Sequence, residues 1–238
     1  SDPQSNSPIG LNSQAGAVQI CAGNDYTCVL ISDGKVKCFG DNRHGQLGLG
    51  TSDTEVRRTR SDGVDLGTGF NATAIACGGF HSCALSSDKE IKCWGQNTAG
   101  QLGYNDTRQR GKQASDMGGS LPVVALGTNF IPKEVKCGRE HTCAVSTTDE
   151  LKCWGSGGGG RLGYGDTLNR GSALNQMGDN LQVLDIRDPP TPEPTASPSA
   201  SPTKAPTKSP TGAPTASPSD SPTAPPSASH PKALTESQ

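Results

Sequence analysis

Residues 77–103 read CGGFHSCALSSDKEIKCWGQNTAGQLG. The same string, with small changes, recurs at 21–48 as CAGNDYTCVLISDGKVKCFGDNRHGQLG and at 137–163 as CGREHTCAVSTTDELKCWGSGGGGRLG. The copies begin 56 and then 60 residues apart, so the chain carries an internal repeat with one supersecondary unit per copy. No catalytic set of residues repeats with it.

In the second copy, NATAIAC at 71–77 is a short apolar strand, and GGF turns the chain. The stretch HSCALSSDKEIKCWG then alternates in two arms about a polar centre, which predicts a hairpin. Placing Cys83 opposite Cys93 sets Leu85 against Ile91. The same arithmetic puts Cys28 opposite Cys38 with Leu30 against Val36, and Cys143 opposite Cys153 with Val145 against Leu151. The first loop, around Asp33 and Gly34, suits a type I turn closed by a left-handed residue, where glycine costs least. Lys89 and Asp149 hold that place in the other copies. Short segments at 64–66, 121–126 and 181–186 close each unit. Four short strands per unit is the pattern of a propeller blade, so the expected class is all-β with three four-stranded repeats. The expected division is an extension at 1–8, repeats at about 9–66, 67–126 and 127–187, and a tail at 188–238.

Only 31% of the 238 residues are hydrophobic and 4% aromatic, too little to give the whole chain one core. From 189 to 231 it is almost entirely Pro, Ser, Thr and Ala. Such a tail buries no core and is expected to be a disordered, extended stalk, reaching up to ~120 Å at ~3.1 Å per residue. The formal net charge is -2, from 21 basic and 23 acidic residues, and no basic run exceeds Arg57 and Arg58, so no nucleic acid partner is expected. Nor is there an apolar run near the ~18 residues of a membrane helix. Opening on Ser1, the chain reads as a processed form or a fragment.

The run G-x-x-H-[ST]-C-A-[LV], then K-C-W-G, G-[QR]-L-G and L-G-Y-x-D-T, resembles the repeat of the regulator of chromosome condensation family over about residues 9–186. The resemblance implies blades of a seven-bladed β-propeller, in a superfamily that also includes a bacterial protein inhibitor of β-lactamase. Three units make less than half of such a ring, so further blades of the same protein or self-association are expected. The chain departs from the pattern at Tyr26, at Phe39 and at 156–160.

Cys77, His81, Cys83 and Cys93 have ligand types suited to zinc, but the first copy keeps its cysteines and has Tyr26 in place of the His. A disulfide within each hairpin is the better reading: Cys28 with Cys38, Cys83 with Cys93, and Cys143 with Cys153. That leaves Cys21, Cys77 and Cys137 as one thiol per repeat. Pairing Cys77 with Cys83 is the rival, weakened because that spacing varies between copies. The total of nine guarantees one unpaired cysteine in a monomer. His81 and His141 lack a nucleophile or carboxylate at a repeating distance and read as turn histidines bonding backbone. Trp94 and Trp154 read as interblade core, 100–103 as a tight turn over a buried Leu, and Asp53, Asp106 and Asp166 as turn formers. No cofactor or metal is expected.

Asn71 and Asn105 head N-x-T glycosylation sequons. With the cysteines and the stalk they favour an oxidising compartment. The expected function is a non-catalytic binding or structural module, secreted or on the cell surface. Its face loops at 51–60, 108–120 and 156–160, which differ among copies, would contact a protein or glycan. The resemblance implies one alternative, guanine-nucleotide exchange on a small GTPase, which requires reduced cysteines and a nuclear or cytoplasmic address. The other is a protein inhibitor of a secreted enzyme.

Overall fold

The computed structural model describes residues 15–51, 53–56 and 63–186. The extension at 1–8 and the tail at 188–238 lie outside the described residues, as do Arg57 and Arg58. Three antiparallel sheets follow one another. Blade 1 holds β1 (Ala17–Ala22), β2 (Tyr26–Ile31), β3 (Val36–Asp41) and β4 (Glu55–Val56). Blade 2 holds β5 (Ala72–Cys77), β6 (His81–Ser86) and β7 (Ile91–Gly95), and blade 3 holds β8 (Pro132–Cys137), β9 (His141–Ser146) and β10 (Leu151–Gly155).

The hairpins have the register that the cysteine spacing sets: Cys28 faces Cys38, Cys83 faces Cys93 and Cys143 faces Cys153, with Leu30, Leu85 and Val145 against Val36, Ile91 and Leu151. Each turn closes on a left-handed residue, with φ of 80° at Gly34, 63° at Lys89 and 66° at Asp149. The two non-glycine residues bear that strain, and the turns around them gain bonds to the side chains of Ser86 and Ser146, which accept the Glu90 and Glu150 amides.

The fourth segment differs from a full strand. Val64, Val124 and Leu184 each donate one amide bond to the start of the third strand, at Val36, Ile91 and Leu151. At the far end, Val56, Arg110 and Arg170 bridge to Gly40, Gly95 and Gly155. In blades 2 and 3 the chain between these points detours through 3-10 turns at Gly118–Ser120 and Gly178–Asn180, each opened by a glycine of positive φ. The blade edge is therefore pinned at two places where a ladder was expected.

Two seams of core join the three sheets. Blade 1 offers Tyr26, Cys28, Leu30, Val36 and Cys38 to Ile75, Ala84 and Trp94 of blade 2. Blade 2 offers Cys83, Leu85, Ile91 and Cys93 to Val135, Ala144 and Trp154 of blade 3. Both faces of blade 2 are thus covered, and successive residues on a strand serve opposite seams. On β5, Ile75 and Cys77 face blade 1 while Ala74 and Ala76 face blade 3. A fully buried Trp removes roughly 150–250 Å² from water, on the order of 4–6 kcal/mol as an upper estimate.

This parity corrects the expectation of one free thiol per repeat. Cys21 and Cys77 are bonded to each other, and only Cys137 is free. Six residues separate Cys21 from Cys28, where five separate Cys77 from Cys83. Cys21 therefore pairs across from Cys28, and its structural counterparts opposite Cys83 and Cys143 are Ala76 and Lys136. A shift of one residue turns a side chain to the other face of its sheet. Cys21 looks toward blade 2 and Cys77 looks back at it, whereas Cys137 looks back at blade 2 and meets the Ala76 position.

The substitution Ala76→Cys should accordingly create a second interblade disulfide with Cys137. Titration of the unfolded, unreduced chain is expected to fall from one thiol to none, with a stabilisation of about 2–4 kcal/mol in denaturant unfolding. Two titratable thiols in the variant would show the register to be misread.

Candidate functional site

The polar residues that the repeat preserves converge on the seams. At the first seam the Tyr26 hydroxyl donates to the His81 carbonyl and accepts from Ser82 Oγ at 3.1 Å, while Ser82 Oγ also lies 2.9 Å from the Gln46 carbonyl. At the second, His81 Nε2 lies 3.0 Å from Thr142 Oγ1, which donates to the Gln101 carbonyl at 2.9 Å. Because that hydroxyl proton is committed to Gln101, the His81 proton sits on Nε2. Nδ1 is then a buried acceptor with no partner among the described residues. His81 thus bonds a side chain of the next blade and not backbone: its ring lies against Gly78 of its own turn, where a Cβ would meet Nδ1 at 2.3 Å, and its Nε2 reaches across the seam.

Burial, helped by the nearby His141, lowers the His81 pKa to about 3. The His141 value is also lowered, by burial and then by Arg161. Both rings are therefore neutral at pH 7, and His81 Nε2 is engaged by the Thr142 hydroxyl. His81, Cys83 and Cys137 come within 4.8 Å of one another, but Cys83 is bonded to Cys93 and burial pushes the Cys137 thiol up to about 12. The set offers no thiolate at neutral pH, and Cys77, part of the zinc set weighed from sequence, faces the other seam.

The indoles of Trp94 and Trp154 are buried as seam core, and their Nε1 groups donate to the carbonyls of Gln46 and Gln101 at 2.9 and 3.0 Å. Leu47, Leu102 and Leu162 are buried beneath the glycine turns. Lys92 Nζ donates to the carbonyls of Leu66 and Gly118, and Lys152 Nζ to those of Leu126 and Gly178, which ties each blade to the exit of the one before. Sequence reasoning missed these lysines, although the K-C-W-G run carries them.

On the rim, Asp106 accepts the Arg108 amide at 3.0 Å and Asp166 the Leu168 amide at 3.0 Å, which are turn bonds. Each carboxylate also takes two bonds from an arginine four residues on, Arg110 or Arg170, whose guanidinium lies over Tyr104 or Tyr164. Burial pushes the Asp106 pKa up, but Arg110 and the Arg108 amide outweigh it and the net shift is down. Arg170 first, and then the Leu168 amide, hold Asp166 at about 2. The recurring Y-x-D-T-x-x-R was the overlooked signal. Asp53 differs: its carboxylate accepts from Thr51 Oγ1 and its carbonyl from Asn42. In blade 3, Gly157 replaces that Asn because a Cβ there would lie 2.0 Å from the Leu168 carbonyl oxygen.

Asn71 is exposed. Asn105 adopts a φ of 59°, and its Oδ1 accepts the amides of Gln176 and Met177 at 3.0 Å, joining two blades. Shallow clefts of about 410 and 400 Å³ open at the two ends of the arc, one lined by Leu168, Arg170, Asn175 and Gln182, the other by Asp25, Asp41, Arg43 and Glu55.

The depressed histidines fix a pH dependence. A ring with a pKa lowered by folding is charged only in the unfolded chain, so stability is complete above the unfolded value near 6.5 and falls with acidification below it. One such ring should remove about 1 kcal/mol between pH 7 and pH 5.5. Denaturant unfolding of the His81→Tyr variant, which copies blade 1, should show a shallower loss than the parent over that range. An unchanged slope would mean that His81 charges freely in the fold.

Comparison with known proteins agrees with this architecture. The regulator of chromosome condensation (RCC1) repeat matches residues 17–46, 72–101 and 133–161, and a longer form of it matches 33–85 and 93–145. The human probable E3 ubiquitin-protein ligase HERC3 is 34% identical over 181 residues, covering 73% of this chain and 16% of its own. The ultraviolet-B receptor UVR8 of Arabidopsis thaliana is 33% identical over 149 residues, covering 62% and 31%. Among solved structures, Prp20p from Saccharomyces cerevisiae superposes with a TM-score of 0.54 at 21% identity, over 74% of this chain and 39% of that one. The chain spans less than half the length of each of these proteins. With three matched repeats, three blades and seams built from the repeated residues, the chain belongs to the regulator of chromosome condensation repeat family.

Proposed function

We propose that the chain is a non-catalytic binding module, secreted or displayed at the cell surface, whose partner contacts the loops on the blade faces. One observation carries this reading: many residues that recur from blade to blade are engaged in the seams or in the rim pairs of Asp106 with Arg110 and Asp166 with Arg170, whereas several that differ stand exposed. Arg108, Leu168 and Leu174 are such residues, and the last is 82% exposed. A scaffold whose constant positions are occupied in packing leaves specificity to its variable ones. Four disulfides favour an oxidising compartment. A protein ligand is favoured over a glycan because Prp20p is described binding Gsp1p and histones, and Kap60 in a second structure. Within this reading Asn71 and Asn105 carry N-glycans, and a secreted enzyme held inhibited is one form the partner takes.

Expression through a secretory pathway tests the compartment. Glycosidase treatment should lower the mass in two steps, one lost in Asn71→Gln and the other in Asn105→Gln. The second variant should also lose about 1–3 kcal/mol of stability, because two backbone amides lose their acceptor. Cross-linking on intact cells should place partner contacts in 108–120, 156–160 and 168–176. Accelerated release of labelled GDP from a nuclear small GTPase by the reduced chain, with nuclear location of a tagged copy, would replace this reading with the exchange-factor one.

A further inference from the structure

The first seam is tied covalently by Cys21–Cys77, and the second has no such tie among the described residues. What the second seam holds there is the Cys137 thiol, which β8 brings to the face of blade 2 that carries His81 and Cys83. A ring nitrogen of His81 and the sulfurs of Cys83 and Cys137 all lie within 4.8 Å of one another. Cys93 Sγ is bonded to Cys83 Sγ and so stands at the edge of the same cluster. His81 is fully buried, and its Nδ1 has no hydrogen-bond partner among the described residues. Thr142 Oγ1 lies 3.0 Å from His81 Nε2 and 3.9 Å from Cys137 Sγ, so one hydroxyl sits against an imidazole of blade 2 and a thiol of blade 3. Neither of the other hairpins repeats the set. Cys28 and Cys38 have Tyr26 in place of the imidazole and Cys77 already bonded, and Cys143 and Cys153 have His141 but no free thiol on their face among the described residues.

We propose that reduction of the Cys83–Cys93 disulfide turns this cluster into a zinc site, with the thiolates of Cys83, Cys93 and Cys137 and a ring nitrogen of His81 as its four ligands. Three sulfurs and one imidazole are a donor set of closed, structural zinc sites. A dithiol reductant supplies two electrons and two protons to the bond and leaves as its own disulfide. Zinc then displaces one proton from each of the three thiols to solvent, because a coordinated thiol is held as thiolate. While Cys83 and Cys93 stay bonded to each other, His81 and Cys137 alone are too few for the ion. The half-buried Cys137 gives zinc a way in from solvent to a cluster whose other members are fully buried. Thr142 serves as the outer partner that holds the ring. Three of the ligands come from β6 and β7 and the fourth from β8, so the ion ties blade 2 to blade 3 as Cys21–Cys77 ties blade 1 to blade 2. Reduction thus exchanges a cross-link inside a hairpin for one between blades.

Cobalt(II), which occupies zinc sites and reports thiolate ligands by charge-transfer absorption, is the probe. The full chain with its disulfides intact is expected to give no such absorption. Cys93→Ser frees Cys83 and leaves the other three disulfides in place. Held without oxygen, that variant should bind one equivalent of cobalt with a Kd of about 1 μM or tighter. Adding His81→Tyr, the residue blade 1 carries, or Cys137→Ser should weaken the binding by about tenfold or more. A second measurement uses the unaltered chain, reduced by a phosphine that leaves as its oxide and then alkylated with and without zinc. Mass mapping should show Cys83, Cys93 and Cys137 protected by zinc, and Cys143 and Cys153 modified in both samples. A Cys93→Ser chain that binds no cobalt, binding that survives both added substitutions, or zinc protection that extends to Cys143 and Cys153 would overturn the proposal.

Discussion

A sheet buried on both faces leaves each strand residue only two destinations, and the parity of its position decides which. In blade 2 every second side chain of β5 belongs to one seam and every other to the second, so one inserted residue reassigns everything before it. The extra residue between Cys21 and Cys28 does this. It costs the first copy its likeness to the others at one position and creates the only covalent tie between blades among the described residues. The hairpin disulfides obey the same rule, since each pair faces the following blade. Cys28–Cys38 and Cys83–Cys93 are sealed by a neighbour, and Cys143 is half-exposed because no described blade covers it.

Most polar groups buried in the seams find partners across them, His81 Nδ1 being an exception. Leaving a buried donor or acceptor unpaired costs about 1–3 kcal/mol, more than an average bond contributes. The Gln101 carbonyl takes an indole and a hydroxyl from the next blade, and the Gln46 carbonyl takes an indole with Ser82 Oγ 2.9 Å away, which makes a Trp together with Ser or Thr a matched set. Lys92 and Lys152 satisfy two carbonyls each while burial lowers their pKa values. The seams are therefore specific as well as cohesive, because an apolar blade of another kind would strand these carbonyls.

Hairpin register and the left-handed turn positions were legible in the sequence because both follow from local spacing. Strand alternation and the Cys-to-Cys count settle Leu85 against Ile91 without tertiary information. The pairing of Cys21 was not legible in the same way. Aligning the copies by column puts Cys21 with Cys77, and only counting from the opposite strand puts it with Ala76. His81 was misjudged for a related reason: its partner Thr142 is 61 residues away, and a turn offered nearer candidates. The pinned blade edge escaped because contacts at two isolated places leave no periodicity to read.

The departures from the repeat are not scattered through the arc. Tyr26 and Phe39 fall in blade 1, and Gly157 and Arg161, which replace Asn and Gln, fall in blade 3, while blade 2 keeps the full pattern. Blade 2, with a neighbour on each face, must satisfy two seams at once. Tyr26 still faces a covered seam, and it meets the requirement in another way, with a hydroxyl reaching the His81 carbonyl and the Ser82 hydroxyl. Phe39 and Arg161 lie on faces that no described blade covers, and there the matched pair of indole and carbonyl is missing on both sides.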